Sequence, residues 1–183
     1  MKNAFLFALS LLLTFAVAAA QTQAPAQMKQ HEDVKPADAP HSAEWQKLSS
    51  LVGLWEGTVE MEGKPAPTTV EVRMTGDNSA IMHVIDKGGP YEMVTMFHPD
   101  GQNLLATHYC SAHNQPRLKL TAAPAPNQLA FDFMDGTNIA PGAGHMAHLV
   151  ITFVDADHHD ETWTYTEPGK SIPPTTFHYA RKK

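Results

Sequence analysis

Cysteine is nearly absent from this sequence of 183 residues: Cys110 stands alone, so no disulfide can form within the chain and stability must come from packing. Clusters of positive charge are missing as well. Thirteen Lys and Arg face nineteen Asp and Glu, giving a formal net charge of −6 at pH 7, and the basic residues gather only at Arg181-Lys182-Lys183. A nucleic-acid groove needs a basic surface, so nucleic acid is not expected as a partner. Long apolar runs are also lacking. The one candidate, Phe5 to Val17, is shorter than the roughly 20 residues of a membrane-spanning helix, and nothing like it follows. Finally, the common catalytic signatures are missing: no Gly-x-Ser-x-Gly elbow, no His-Glu-x-x-His, no Cys-x-x-Cys and no phosphate loop. No enzymatic activity is expected, although thiol or hydrolase chemistry at Cys110 with His108 stays open.

What is present divides the chain into three parts. Residues 1–20 carry a positive charge at Lys2, an apolar stretch and a closing Ala18-Ala19-Ala20, the pattern of a secretory signal peptide with its cleavage site. A periplasmic or secreted product is the expectation. Residues 21–41 are rich in Gln, Ala, Pro, Lys and Asp, with little to bury against the entropy of ordering, and read as a flexible leader. Residues 42–183 then have the length of one domain.

Within that domain the hydrophobic period changes once. Ser42 can cap a short helix with Trp45, Leu48 and Leu51 on one face, and Gly53 is placed to end it. From Leu54 onward apolar residues alternate with polar ones, as in Trp55, Gly57 and Val59 against Glu56, Thr58 and Glu60. Gly, Pro, Asn and Asp punctuate the alternation often enough to mark about ten strands joined by short turns. Short connections favour an antiparallel meander over crossover units, and a meander this long removes its exposed edges by closing into a barrel. The expected fold is all-β, a closed barrel with one N-terminal helix; a β-sandwich is the alternative. Ten aromatic and methionine positions, among them Trp55, Phe97, Phe131 and Trp163, fall on the alternating rows and read as core. If side chains do not fill such an interior, it becomes a pocket for a small apolar or amphipathic molecule.

Candidate chemistry concentrates on the strand around His108. His108 and Cys110 are two apart, so they share a face with Leu104 and Ala106, and His113 and Arg117 follow in the next loop. One reading is a polar anchor for a ligand inside the barrel; the other is a hydrogen-bonded histidine beside a buried cysteine. The 11 histidines raise the question of metal. His145 and His148 are an odd number apart on a strand and should point to opposite faces, while His158 and His159 fall in an expected hairpin turn, so no metal site is assigned. The acidic stretch from Asp155 to Glu161 lacks the glycine of a calcium loop and reads as a solvated turn. Gly142-Ala143-Gly144 lacks the setting of a dinucleotide loop.

The segment Leu51-Val52-Gly53-Leu54-Trp55-Glu56-Gly57, a helix end feeding a Gly-x-Trp strand, resembles the opening of lipocalin-like calycin barrels. Within that group the chain looks most like uncharacterised secreted bacterial lipocalin-like domains, some of which carry a segment like Thr107-His108-Tyr109-Cys110 followed by Asn114-Gln115-Pro116-Arg117. The resemblance implies that Trp55 packs across the closed end of the barrel and that the interior holds a small ligand. A more distant similarity is to nitrobindin, a ten-stranded barrel that holds haem through a histidine near its C-terminal end. That similarity implies haem as the cofactor and His178 as its ligand, although Val59 and Met61 stand where the nitrobindin first strand has further glycines. The residues expected to meet a ligand are therefore Trp55, His108, Cys110, His113, Arg117 and His178. Two alternatives remain: a haem or metal-binding barrel that uses His178 or the His108 and Cys110 face, and a solid barrel that acts through protein contacts.

Overall fold

The computed structural model describes residues 42–61 and 63–183; the expected signal peptide and leader, residues 1–41, lie outside the described residues. One helix, α1 (Ala43–Ser49), precedes ten strands: β1 (Gly53–Met61), β2 (Lys64–Thr75), β3 (Ala80–Ile85), β4 (Met93–Asp100), β5 (Asn103–Tyr109), β6 (Gln115–Thr121), β7 (Gln128–Thr137), β8 (His145–Phe153), β9 (His158–Thr166) and β10 (Thr175–Arg181). Each strand pairs antiparallel with the next, and β10 returns to pair with β1, so the sheet closes with no free edge. The expected ten-stranded meander, closed into a barrel with one short helix, is the architecture found. No helix among the described residues is long and apolar enough to cross a membrane.

The helix caps one end. The Ser42 hydroxyl accepts from the Trp45 backbone N–H at 3.1 Å, and Trp45, Leu48 and Leu51 are buried against the barrel. Helix geometry ends at Ser49 with Ser50 as the cap, so Gly53 does not stop the helix as expected. Gly53 instead opens β1, with φ of 144°, a conformation that only glycine adopts without strain. Arg181, the last residue of β10, ties this end together. Its guanidinium lies 4.0 Å from the centre of the Trp55 ring and donates to the carbonyls of Ser50 and Val52 at 3.0 Å, satisfying acceptors that the helix end leaves unpaired. The closing seam is tight: a side chain on Gly57 would begin inside the backbone of His178.

Alternation sets the core. Inward rows such as Trp55, Val59; Val70, Val72; Ile81, Ile85; and Leu149, Ile151 are almost fully buried, each contributing on the order of 1.5–3 kcal/mol through burial. Three local expectations give way. Pro99 and Asp100 belong to the end of β4, and the turn falls at Gly101-Gln102. His158 and His159 are not in a turn; they open β9, whose pairing with β8 begins at Phe153 opposite His159. The register of β8 against β9 also shifts between Met146 and His148, so a bulge interrupts the alternation that was to place His145 and His148 on opposite faces.

Candidate functional site

A polar cluster sits inside the apolar barrel. Glu161 on β9 is fully buried, and its carboxylate has three partners: His83 Nε2 from β3 at 2.7 Å and His159 Nε2 at 3.2 Å, both on Oε1, with Trp163 Nε1 donating to Oε2 at 3.1 Å. Strand alternation brings them together, because His159, Glu161 and Trp163 are successive inward residues of β9 and His83 lies inward between Ile81 and Ile85. Burial by itself would raise the Glu161 pKa, but attraction to His83 and the hydrogen bonds from His159 and His83 outweigh it and hold the carboxyl below its usual range. An ionised carboxylate has no proton to give, so both ring nitrogens facing it carry theirs.

His108 lies beside this cluster. Its Nδ1 shares a 2.9 Å hydrogen bond with the Thr95 hydroxyl, its ring stands 4.8 Å from that of Trp163, and the whole residue is 1% exposed. Thr95 and His108 face each other directly across the β4–β5 pair. Burial, and then the like charge of His83, push the His108 pKa down from 6.5 to about 4, with Glu161 offsetting part of the shift. Three ring nitrogens in this region have no hydrogen-bond partner among the described residues: His83 Nδ1, His159 Nδ1 and His108 Nε2. Buried polar atoms are nearly always paired, so these positions stand out.

The depressed His108 pKa makes stability depend on pH with a definite sign. The unfolded histidine takes up a proton near pH 6.5, whereas the folded one refuses it until about pH 4. The contribution is therefore complete above pH 6.5 and is lost as pH falls from 6.5 towards 4, by roughly 3 kcal/mol. Urea unfolding of the wild type and His108→Gln at pH 7 and pH 4.5 checks this. The wild type should lose more stability than the variant; equal losses would show that His108 is not the group responsible.

The end of the barrel opposite α1 carries no helix among the described residues. Met93, Met146 and Phe177 continue the inward rows and pack on the core, yet remain only partly buried, and Phe133, on the same face as Leu129 and Phe131, is 37% exposed. His108 lies one inward step below this ring, since Met93 precedes Thr95 on its face of β4 and Thr95 is opposite His108. Asn114, buried between strands, ties two loops across the same end by donating to the Gly144 carbonyl at 2.9 Å. Two concavities lie elsewhere. One of about 450 Å³ separates α1 from the β6–β7 connection, and one of about 440 Å³ lies on the outer wall around His158, Asp160 and His178. Neither is lined by His83, His108, His159 or Glu161.

The expected ligand residues separate accordingly. Trp55 and His108 are inside, although Trp55 plugs the α1 end, with its Nε1 donating to the Leu51 carbonyl at 2.7 Å. Cys110 does not continue the His108 face into the barrel: β5 ends at Tyr109, and Cys110 is half-buried in a turn where it accepts from the His113 backbone N–H. His113 is an exposed residue in that turn, with φ of 61°. Arg117 points outward, because Leu118 takes the inward position, and it pairs with Asp135. His178 is also outside, 63% exposed, with Nδ1 2.8 Å from Asp160, because its neighbour Tyr179 faces the core. A haem held inside the barrel by His178 does not fit that placement. Among the described residues, no group of three or more His, Cys, Asp or Glu is disposed to hold a metal ion.

In the sequence, His159 and Glu161 read as part of a solvated turn, whereas both are buried in β9, and His83 and Thr95 are passed over, yet a signal existed. A carboxylate two positions before Trp163, and a histidine between Ile81 and Ile85, each put a titratable group on an apolar row.

No family model matches the sequence, and no curated protein matches it. Among solved structures, the chain is similar to Rv2717c from M. tuberculosis, with a TM-score of 0.55 and 14% identity over 78% of this chain and 99% of that one. It is also similar to a protein of unknown function of the DUF3598 family from Nostoc punctiforme, with a TM-score of 0.53 and 12% identity over 74% of this chain, spanning 48% of that protein. At such identities the likeness establishes architecture alone: the chain is a closed ten-stranded barrel that fits the lipocalin-like fold.

Proposed function

We propose that this protein is a binding module for one small apolar or amphipathic molecule, taken into the barrel from the end opposite α1, and that it works in the periplasm or outside the cell. The observation that carries the reading is the ring of Met93, Phe133, Met146 and Phe177, inward-facing apolar side chains left partly exposed at one end of a barrel whose other end is plugged. Apolar side chains that turn towards the interior and stay partly exposed match the lining of a small-molecule site. The exported location rests on the charge, apolar run and Ala-x-Ala ending of residues 1–20. Binding in place of catalysis is supported by the buried cluster, where both oxygens of Glu161 already accept hydrogen bonds from His83, His159 and Trp163.

The neutral dye N-phenyl-1-naphthylamine tests the binding reading through energy transfer from the protein's tryptophans. Saturable binding of one dye per chain is expected, weakened at least tenfold by Phe133→Asp, which sets a charge in the apolar ring. Absence of saturable binding in the wild type, or equal binding by a variant altered only in the outer-wall concavity and by Phe133→Asp, would count against an interior site. Native mass spectrometry of protein purified from its own cells should show a small molecule that is lost on denaturation.

A further inference from the structure

Resting on the interior binding just proposed, we infer that the ligand presents a neutral hydroxyl group, an alcohol or a phenol, to Nε2 of His108, with its apolar body lying among Met93, Phe133, Met146 and Phe177. The placement follows from the strand register. His108 is the polar residue one step beneath the apolar ring, and Nε2 is the end of its ring that no protein group among the described residues engages. The opposite nitrogen is already committed to the Thr95 hydroxyl. Thr95 either donates to Nδ1 or accepts from it, which leaves Nε2 either a donor or an acceptor. A ligand hydroxyl, able to give or take, complements both arrangements; a carbonyl or an ether complements only one.

Burial excludes the alternatives. A carboxylate ligand would give up its hydration shell in a space where the His83 and His159 Nε2 groups are already committed to Glu161, leaving its own charge unpaired. An ammonium group would gain little from Glu161, because both carboxylate oxygens already accept hydrogen bonds from His83, His159 and Trp163, and its desolvation would go uncompensated. A neutral hydroxyl leaves its hydration shell at far smaller cost and pairs an atom that is otherwise buried alone.

The experiment is a matched ligand series followed by tryptophan fluorescence at pH 7: naphthalene, 2-naphthol and 2-naphthoate, which share one apolar body. The wild type should bind 2-naphthol about tenfold more tightly than naphthalene, and 2-naphthoate more weakly than either. In His108→Leu the affinity for 2-naphthol should fall to that for naphthalene, and in the wild type the His108 ring 15N resonances should shift on adding 2-naphthol but not naphthalene. The wild-type series stands even if the variant does not fold. Equal binding of 2-naphthol and naphthalene, or tightest binding of 2-naphthoate, overturns the hydroxyl assignment and leaves the interior site standing. So does failure of all three when N-phenyl-1-naphthylamine still binds. Failure of all three together with that dye overturns both.

Discussion

Replacing Glu161 by alanine should destabilise the protein by about 3–5 kcal/mol, a large part of the roughly 5–15 kcal/mol that holds a domain folded. The carboxylate is the common acceptor for His83, His159 and Trp163, so its removal leaves three buried N–H groups facing a cavity with no acceptor. Glu161→Gln should lose less, because its amide oxygen still accepts, but its NH2 group must oppose one of the existing donors. Urea unfolding at pH 7 reads both losses. A loss below about 1 kcal/mol in the alanine variant would mean that the three donors find other partners and that the cluster does not act as a unit. The cluster is not itself an efficient source of stability: an apolar replacement of Glu161, His83 and His159 together can approach neutrality where the single change cannot. That contrast separates the loss of a partner from the loss of volume.

Trp55→Ala should have an effect of similar size, about 3–5 kcal/mol, for a different reason. The indole fills the plugged end, is 2% exposed, and stands edge-to-face with the His159 ring at 4.3 Å between centres, while the Arg181 guanidinium lies 4.0 Å over its ring. Truncation opens a cavity and leaves Arg181 without its aromatic face. Trp55→Phe keeps most of the volume and loses the hydrogen bond to the Leu51 carbonyl, so it should cost about 1–2 kcal/mol. Chemical unfolding with near-ultraviolet circular dichroism distinguishes the two. If phenylalanine costs as much as alanine, the hydrogen bond to the helix end, and not packing, is what Trp55 supplies.

The barrel was legible in the sequence because alternation is a local signal and was repeated ten times, with turn residues between the strands. Strand ends were less so. His158 and His159 follow three residues of Asp and Ala, a context that reads as a turn; only the partner strand, with Phe153 opposite His159, draws them into the sheet. The parity of β8 could not be read, because a bulge between Met146 and His148 adds a residue without a sequence mark. The site was half visible. His108 lies on a clear apolar row, so its inward direction followed from Leu104 and Ala106. Its neighbours Glu161 and His83 come from strands 78 residues apart in the chain, and no spacing rule joins groups that only closure of the barrel brings within 2.7 Å. Arg117 and His178 show the reverse: plausible residue types whose faces were set by Leu118 and Tyr179 beside them.

The seam between β1 and β10 fixes when the molecule can become itself. Its pairs run from Trp55 with Arg181 to Val59 with Phe177, contacts that close a loop of nearly the whole domain. Until the last strand has been made, β1 and β9 each carry an unpaired edge, Trp55 lacks its guanidinium cover, and the polar cluster has no completed wall around it. Loop closure of that length is entropically slow and leaves strand edges open to pairing with other chains. The chain is therefore most exposed to misassembly just before β10 is made, and that strand acts as the latch of the fold.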